Sequence, residues 1–321
     1  IIIIISQIGE RSSRKIERSC SKKKSKSKNR ITMTKTPFNS TACQGQVALI
    51  TGGGSGIGFG IAEQLGLHGC AISIMGRREE KLRKAVEILR SNGIRATYVC
   101  GDVRKVQDAR NAVQHTVRSF GGMNILVNCA AGNFLSTASN LSQKGFRTVM
   151  EIDALGVWTM CHSSFEALKE SKQGVIINIS ATLQYGATWY QAHACAAKAA
   201  IDSVTRSLAL EWGAYNIRSV GIAPGPIAGT PGVAKLAPAA DSQKKIASLI
   251  PLGRMGETSE IGLTSVFLCS SAAQYITGTT LIVDGGEWLY KPPPLPRDMV
   301  AKLSKQVEAK SRRMGPKSSR L

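Results

Sequence analysis

From Gln46 onward the chain alternates short unbroken apolar runs with longer stretches in which apolar residues recur every three or four positions. The runs Gln46–Thr51, Cys70–Met75, Ile94–Cys100, Asn124–Asn128, Val175–Ser180, Arg218–Ile222 and Thr280–Val283 predict strands. The stretches Ile57–His68, Glu79–Arg90, Phe146–Glu170 and Tyr190–Trp212 predict helices. Strands that are apolar throughout are covered on both faces, which points to a parallel sheet with helices on either side. Right-handed crossovers then yield an α/β, doubly wound sheet with ligands at the carboxyl ends of its strands. No internal repeat is visible, and residues 43–290 read as a single domain.

Composition narrows the function classes once the charge is located. The formal net charge is +21, but residues 1–32 hold +8 and residues 291–321 hold +7, leaving +6 for the body. A charge concentrated in tails does not make a nucleic-acid-binding module, so no nucleic-acid partner is expected. No apolar run is long enough for a membrane span. Eight scattered Cys without a CxxC pair, and only four His, predict no metal site and reduced, buried thiols. Residues 1–42 are expected to be a disordered basic extension, its first part lying upstream of a true start at Met33 or acting as a transit peptide. Residues 291–321 are expected to be a flexible basic tail. It ends in Ser319-Arg320-Leu321, a variant of the Ser-Lys-Leu peroxisomal address that an import receptor reads.

The candidate chemistry sits at strand ends. The first strand runs into Thr51-Gly52-Gly53-Gly54-Ser55-Gly56-Ile57-Gly58 and then a helix. Absent Cβ atoms let Gly52, Gly54, Gly56 and Gly58 approach a pyrophosphate. Ser55, Ile57 and the helix N-terminus supply N–H donors. After the second strand, Gly76 stands where an NAD site commonly carries an acid, followed by Arg77, Arg78 and, one turn on, Lys81. Guanidinium groups without a carboxylate favour a 2′-phosphate, hence NADPH. Asp102 and Val103 after the third strand are placed to meet the adenine. Asn128 and Ala130 after the fourth lie beside the ribose, and Pro224, Gly225, Ile227 and Thr230 after the sixth hold the nicotinamide amide and pyrophosphate.

Together the Thr51 loop, the Asn128 segment, Lys198 and the Pro224 turn resemble the Rossmann-like short-chain dehydrogenase/reductase family over residues 43–290. In that family a Ser, a Tyr and a Lys, helped by an Asn, form the reducing site. Here Ala181 occupies the Ser place, Ala194 the Tyr place and Asp153 the Asn place, and only Lys198 survives. That pattern, with the segments Cys129–Leu135, Asn178–Leu183 and Pro224–Thr230, resembles the 2,4-dienoyl-CoA reductase branch, particularly its plant-type peroxisomal members.

The resemblance implies NADPH-dependent reduction of an acyl-CoA diene to a 3-enoyl-CoA, in β-oxidation of unsaturated fatty acids within the peroxisome. It explains the missing Tyr, because a dienoyl thioester takes its proton on carbon rather than on oxygen. Lys198 is assigned to the nicotinamide ribose and the field around the thioester oxygen, and Asp153 to proton delivery through water, with a structural carboxylate as its other reading. Phe134, Leu135 and the apolar loop Gly232–Leu252 are expected to line the acyl pocket. Arg104 reads as a solvent salt bridge or as a contact to a coenzyme A phosphate. Tyr185 and Tyr190 are further donor candidates, Tyr190 the more readily packed on the helix. Trp158, Trp189, Trp212, His162 and His193 read as core or interface residues, and a homotetramer is implied. A trans-2-enoyl-CoA reductase and a catalytically silent NADP(H)-binding protein remain as alternatives.

Overall fold

The computed structural model describes residues 36–236 and 239–313. Of the expected extension, residues 1–42, the part up to residue 35 lies outside the described residues, as does the terminal Ser319-Arg320-Leu321; residues 36–42 are ordered instead, with Thr36 Oγ1 3.0 Å from His68 Nε2 and Phe38 packed on the core.

The first strand, β1 (Val47–Thr51), is buried at every position, as a strand covered on both faces must be. It lies inside a sheet completed by β2 (Ala71–Gly76), β3 (Ala96–Cys100), β4 (Ile125–Asn128), β5 (Gly174–Ile179), β6 (Ile217–Pro224) and β7 (Thr280–Val283). The order is β3-β2-β1-β4-β5-β6-β7 and every pairing is parallel. Thr51 pairs with Met75 on one side and with Asn128 on the other, so three strand ends finish level. The strand order reverses between β1 and β4, which opens a crevice at their carboxyl ends.

Helices α1 (Gly56–Leu67), α2 (Glu79–Ser91) and α9 (Thr258–Cys269) are joined by α3 (Val106–Phe120), α4 (Gln143–Val149), α5 (Gly156–Glu170) and α6 (Ala192–Trp212). Two clusters of buried apolar side chains result. Ile50, Ile72, Ile177 and Ile222 face α1, α2 and α9, whereas Leu49, Met75, Leu126 and Ile176 face α3, α5 and α6. Alternate residues of one strand feeding opposite layers is the direct consequence of strand pleating. Where α1 crosses α9, a Cβ on Gly60 would lie 2.6 Å from Thr258 Cβ, and one on Gly262 would lie 2.6 Å from the Gly60 carbonyl. That close approach leaves no room for any side chain.

The seven expected strands are all present, but three expectations change. Helices α3 and α9 were not foreseen. The segment expected to be an apolar loop, Gly232–Leu252, contains α7 (Pro231–Leu236) and α8 (Ala240–Leu249). The tail expected to be flexible carries α10 (Arg297–Arg313), whose regular spacing of Met299, Val300, Leu303 and Val307 among basic residues has helical period.

Candidate active site

The crevice is lined on one side by the glycine loop. Ser55 holds extended backbone ahead of α1, its side chain caps nothing, and the first turn contains no acid. The initial N–H groups of α1 therefore keep their capacity for an anion. A Cβ on Gly58 would stand 2.6 Å from the Gly52 carbonyl, and one on Gly52, at φ +70°, would stand 3.0 Å from Ala130 N. Thr51 locks this apposition: its hydroxyl accepts from Cys129 N at 3.0 Å and from Ala130 N at 3.1 Å. A Cβ on Gly56 would lie 3.1 Å from Pro231 Cδ, so the turn after β6 closes against the same loop. Within that turn Thr230 donates to Ile227 O at 2.8 Å and accepts from Val233 N, which makes it the cap of α7. What this arrangement leaves is a hollow at the end of β1 lined mainly by backbone.

At the end of β2, Gly76 is followed by exposed Arg77 and Arg78, with Lys81 exposed one turn on. Asp102 is bound by Arg104 through several hydrogen bonds, the shortest 2.5 Å to Nη2, and that bonding holds its carboxyl below the usual carboxylate range. The pair belongs to a cleft of about 290 Å³ shared with Lys105, Glu151 and Leu155, while Val103 beside it is buried. Arg104 is thus held at its base before it meets any ligand. Asn128 is engaged as well, donating to Asn178 Oδ1 at 2.9 Å and to Cys161 Sγ at 3.3 Å, and Asn178 donates on to Thr205. Its side chain ties β4 to β5 and α5, and Asn178 carries the link on to α6.

The reaction end of the crevice is built around a buried pair. Between α4 and α5 the backbone widens into one π-helical turn, Met150–Leu155, and Asp153 sits on it. Such turns re-aim side chains that a regular helix would direct elsewhere. Asp153 is 1% exposed; Oδ1 accepts from Gly132 N at 2.7 Å and Oδ2 from Lys198 Nζ at 3.1 Å. Lys198 donates a second bond to Ile179 O at the end of β5, also 3.1 Å. An ammonium has three donors, so one remains for a ligand. Ala194, one turn earlier on α6, presents no phenol. Among the described residues the Asp153–Lys198 pair is the only salt bridge whose two side chains are both nearly buried.

The loop from β5 to α6 completes the wall. Tyr190 adopts φ +64°, a left-handed conformation unusual for a bulky residue, and its carbonyl accepts from Ser136 N at 2.9 Å. Asn133 donates to Gln191 at 2.6 Å, a second tie between the β4 and β5 loops. Tyr190 lies outside α6 and is exposed, so it does not pack on the helix. Trp189 is exposed, and Tyr185 sits edge-on to Trp288. Phe134 and Leu135 are exposed at the mouth. Beside them lies a cleft of about 550 Å³ lined by Ala138, Leu141, Gln143, Phe146, Arg147 and Ala192.

Two features were missed in the sequence: the cleft, and a second carboxyl at the rim. Glu287 accepts from Thr182 at 3.4 Å and its pKa is raised by burial. Burial also pushes the Cys129 and Cys161 thiols up to about 12, so neither supplies a thiolate nucleophile.

The model of the family described as enoyl-(acyl carrier protein) reductase matches residues 52–287. A crystal structure of a short chain dehydrogenase from Bacillus anthracis superposes with a TM-score of 0.71 at 35% identity, covering 78% of this chain and all of that one. The chain belongs to the short-chain dehydrogenase/reductase family of NAD(P)H-binding oxidoreductases. Within it, the peroxisomal 2,4-dienoyl-CoA reductase of Arabidopsis thaliana is 52% identical over 86% of this chain and 96% of that protein. The peroxisomal 2,4-dienoyl-CoA reductase of Mus musculus is 43% identical over 78% and 86%. A probable 2,4-dienoyl-CoA reductase of Bacillus subtilis is 36% identical over 76% and 97%.

Proposed function

We propose that this chain is an NADPH-dependent 2,4-dienoyl-CoA reductase that forms a 3-enoyl-CoA. The observation that carries the reading is the buried Asp153–Lys198 pair facing a site in which Ala194 replaces the phenol. A carbonyl reductase must protonate an oxygen and needs that phenol. A dienoyl thioester needs stabilisation of charge on its oxygen and a proton delivered to carbon, which a lysinium and a carboxyl group can supply.

The glycine cradle and the uncapped start of α1 fit a dinucleotide pyrophosphate, and Arg77 with Arg78, in the absence of an acid at Gly76, fits a 2′-phosphate. Reduced nicotinamide supplies the hydride when bound. Lys198 orients the ribose with its third donor and places positive charge near the thioester oxygen. Asp153, fixed by Gly132 N and Lys198, holds the water from which the α-carbon takes its proton. Phe134, Leu135 and the neighbouring 550 Å³ cleft accept the acyl chain, and Arg104 with Lys105 faces the coenzyme A phosphates.

The names of the relatives support a peroxisomal setting, and Ser319-Arg320-Leu321 would be the signal. Leu155 at the end of the π-helical turn, Trp158 on α5 and Leu210 on α6, all exposed, support assembly as a tetramer through that face.

Purified protein is given NADPH and a trans-2,trans-4-dienoyl-CoA, and the product's double bond is located. A 3-enoyl-CoA is expected. A saturated product from a trans-2-enoyl-CoA would establish the enoyl reductase instead. NADPH binding without turnover of either would mark a silent binder.

A further inference from the structure

Of the two buried histidines, His68 and His193, only the first is hydrogen-bonded. His68 bonds Gln64 O at 2.7 Å and Thr36 Oγ1 at 3.0 Å, and His115 bonds Thr97 Oγ1 at 3.0 Å. His193 is 0% exposed, yet neither ring nitrogen completes a hydrogen bond; the Phe134 backbone comes close enough to act on the ring without reaching bonding geometry. Buried polar atoms left in that state are costly, so a persistent one calls for a partner that arrives later. The surroundings say where the partner comes from. The ring stacks on Phe134 with centroids 4.3 Å apart, at the mouth assigned to the acyl group. Its neighbours are Ala192, which lines the acyl cleft, and Ala194, which stands in the place of the family's phenol. Asp153 is close enough for its charge to act on the ring.

Burial lowers the pKa of His193, so the ring is neutral and offers one N–H donor and one acceptor. A thioester oxygen is an acceptor only, and fits the donor. We propose that the His193 ring N–H donates to the thioester oxygen of the substrate, replacing from the adjacent position the electrophilic role that Ala194 cannot fill. This rests on the dienoyl-thioester reading above. Hydride adds at C5, the C4=C5 and C2=C3 pairs shift, C3=C4 forms, and the negative charge gathers on the thioester oxygen. C2 then takes a proton from the water at Asp153 and the carbonyl reforms. His193 gives up no proton. One NADPH and one proton are consumed for each 3-enoyl-CoA.

The test uses His193→Leu and His193→Gln in the full-length protein. Three quantities are read: turnover, the melting temperature of the ligand-free protein, and the absorption maximum of dienoyl-CoA bound in the presence of NADP+. A hydrogen bond to the thioester oxygen polarises the conjugated chromophore, so a red shift is expected with the wild type. His193→Leu should abolish the shift and lower kcat on the order of 100-fold, as loss of one oxyanion donor does. NADPH affinity should stay within about twofold, and the melting temperature should hold or rise, because the unpartnered ring is gone. His193→Gln, which retains an N–H donor, should restore the shift and part of the turnover. A His193→Leu protein with the wild-type shift and kcat overturns the proposal, as does one whose melting temperature and NADPH affinity fall together. A wild type that neither binds nor reduces the dienoyl thioester overturns the substrate reading and His193's role with it.

Discussion

The two halves of the crevice are built by opposite means. The β1–α1 half is shaped by what is missing: side chains removed at Gly52, Gly56 and Gly58 let backbone meet backbone, and Thr51 satisfies the amides that remain. The β5–α6 half is shaped by what is added. Together with the α4–α5 junction packed on α6, it carries a buried ion pair, a π-helical turn, a Tyr at positive φ and a buried His without a completed hydrogen bond. Binding a diphosphate needs close, pre-aimed N–H groups, which backbone alone provides. Steering charge and a proton needs titratable groups out of water, and those cost stability unless they are paired. The first half therefore tolerates no bulk, and the second no loss of polarity.

Substitutions separate the two halves. The largest effect is expected for Asp153→Ala, which should cut kcat by about 100-fold or more. It strands the Lys198 ammonium, and loss of one partner of a buried pair costs about 3–5 kcal/mol. Stopped-flow reduction and denaturant melts measure both terms, and NADPH affinity should hold, since the glycine cradle is untouched. Next is Gly58→Ala. Its Cβ would stand 2.6 Å from the Gly52 carbonyl, so backbone must shift at a cost of about 1–3 kcal/mol, and calorimetry should show NADPH binding lost. Arg77→Ala should weaken NADPH by roughly tenfold or more, the worth of a charged hydrogen bond, and leave NADH unchanged. An equal loss for both cofactors would remove Arg77 from the 2′-phosphate.

A smaller effect concerns pH. Burial holds His115 and His193 below their ordinary pKa. The unfolded chain therefore protonates first, and stability is fullest above about pH 6.5 and is lost as pH falls through the window down to the folded values. Melting temperature should drop between pH 7 and pH 5, and less so in His193→Leu. Least of all, Arg83→Ala breaks the exposed pair with Glu87 and should change stability by about 0.5 kcal/mol at most.

Residue by residue, the nucleotide half was readable in advance. Apolar runs and the spacing Gly52 to Gly58 reflect local constraints, and local constraints appear as patterns in a linear chain. Helix α3 escaped although its apolar positions have helical period, because its charged face obscures them. Helix α9 has no such signal, because its polar and apolar residues do not separate onto two faces. In the site, Asn128 reads from the sequence as a ligand contact, whereas its side chain ties β4 to β5 and α5, and Arg104 is held by Asp102. The Glu287–Thr182 contact and the cleft at Phe146 join residues far apart in sequence, and no spacing rule announces them.

What the sequence by itself determined is the parallel sheet, the glycine cradle, the basic end of β2 and the absence of a phenol at Ala194. Each follows from residue type at a place whose geometry the local pattern already dictates. Only the tertiary structure decided that Asp153 turns inward on a π-helical turn to meet Lys198, and that His193 is buried without a completed hydrogen bond. Those outcomes depend on which groups lose their water and which partners reach them once the loops close. Desolvation and hydrogen-bond satisfaction are set by the packed neighbours of a side chain rather than by its neighbours in sequence.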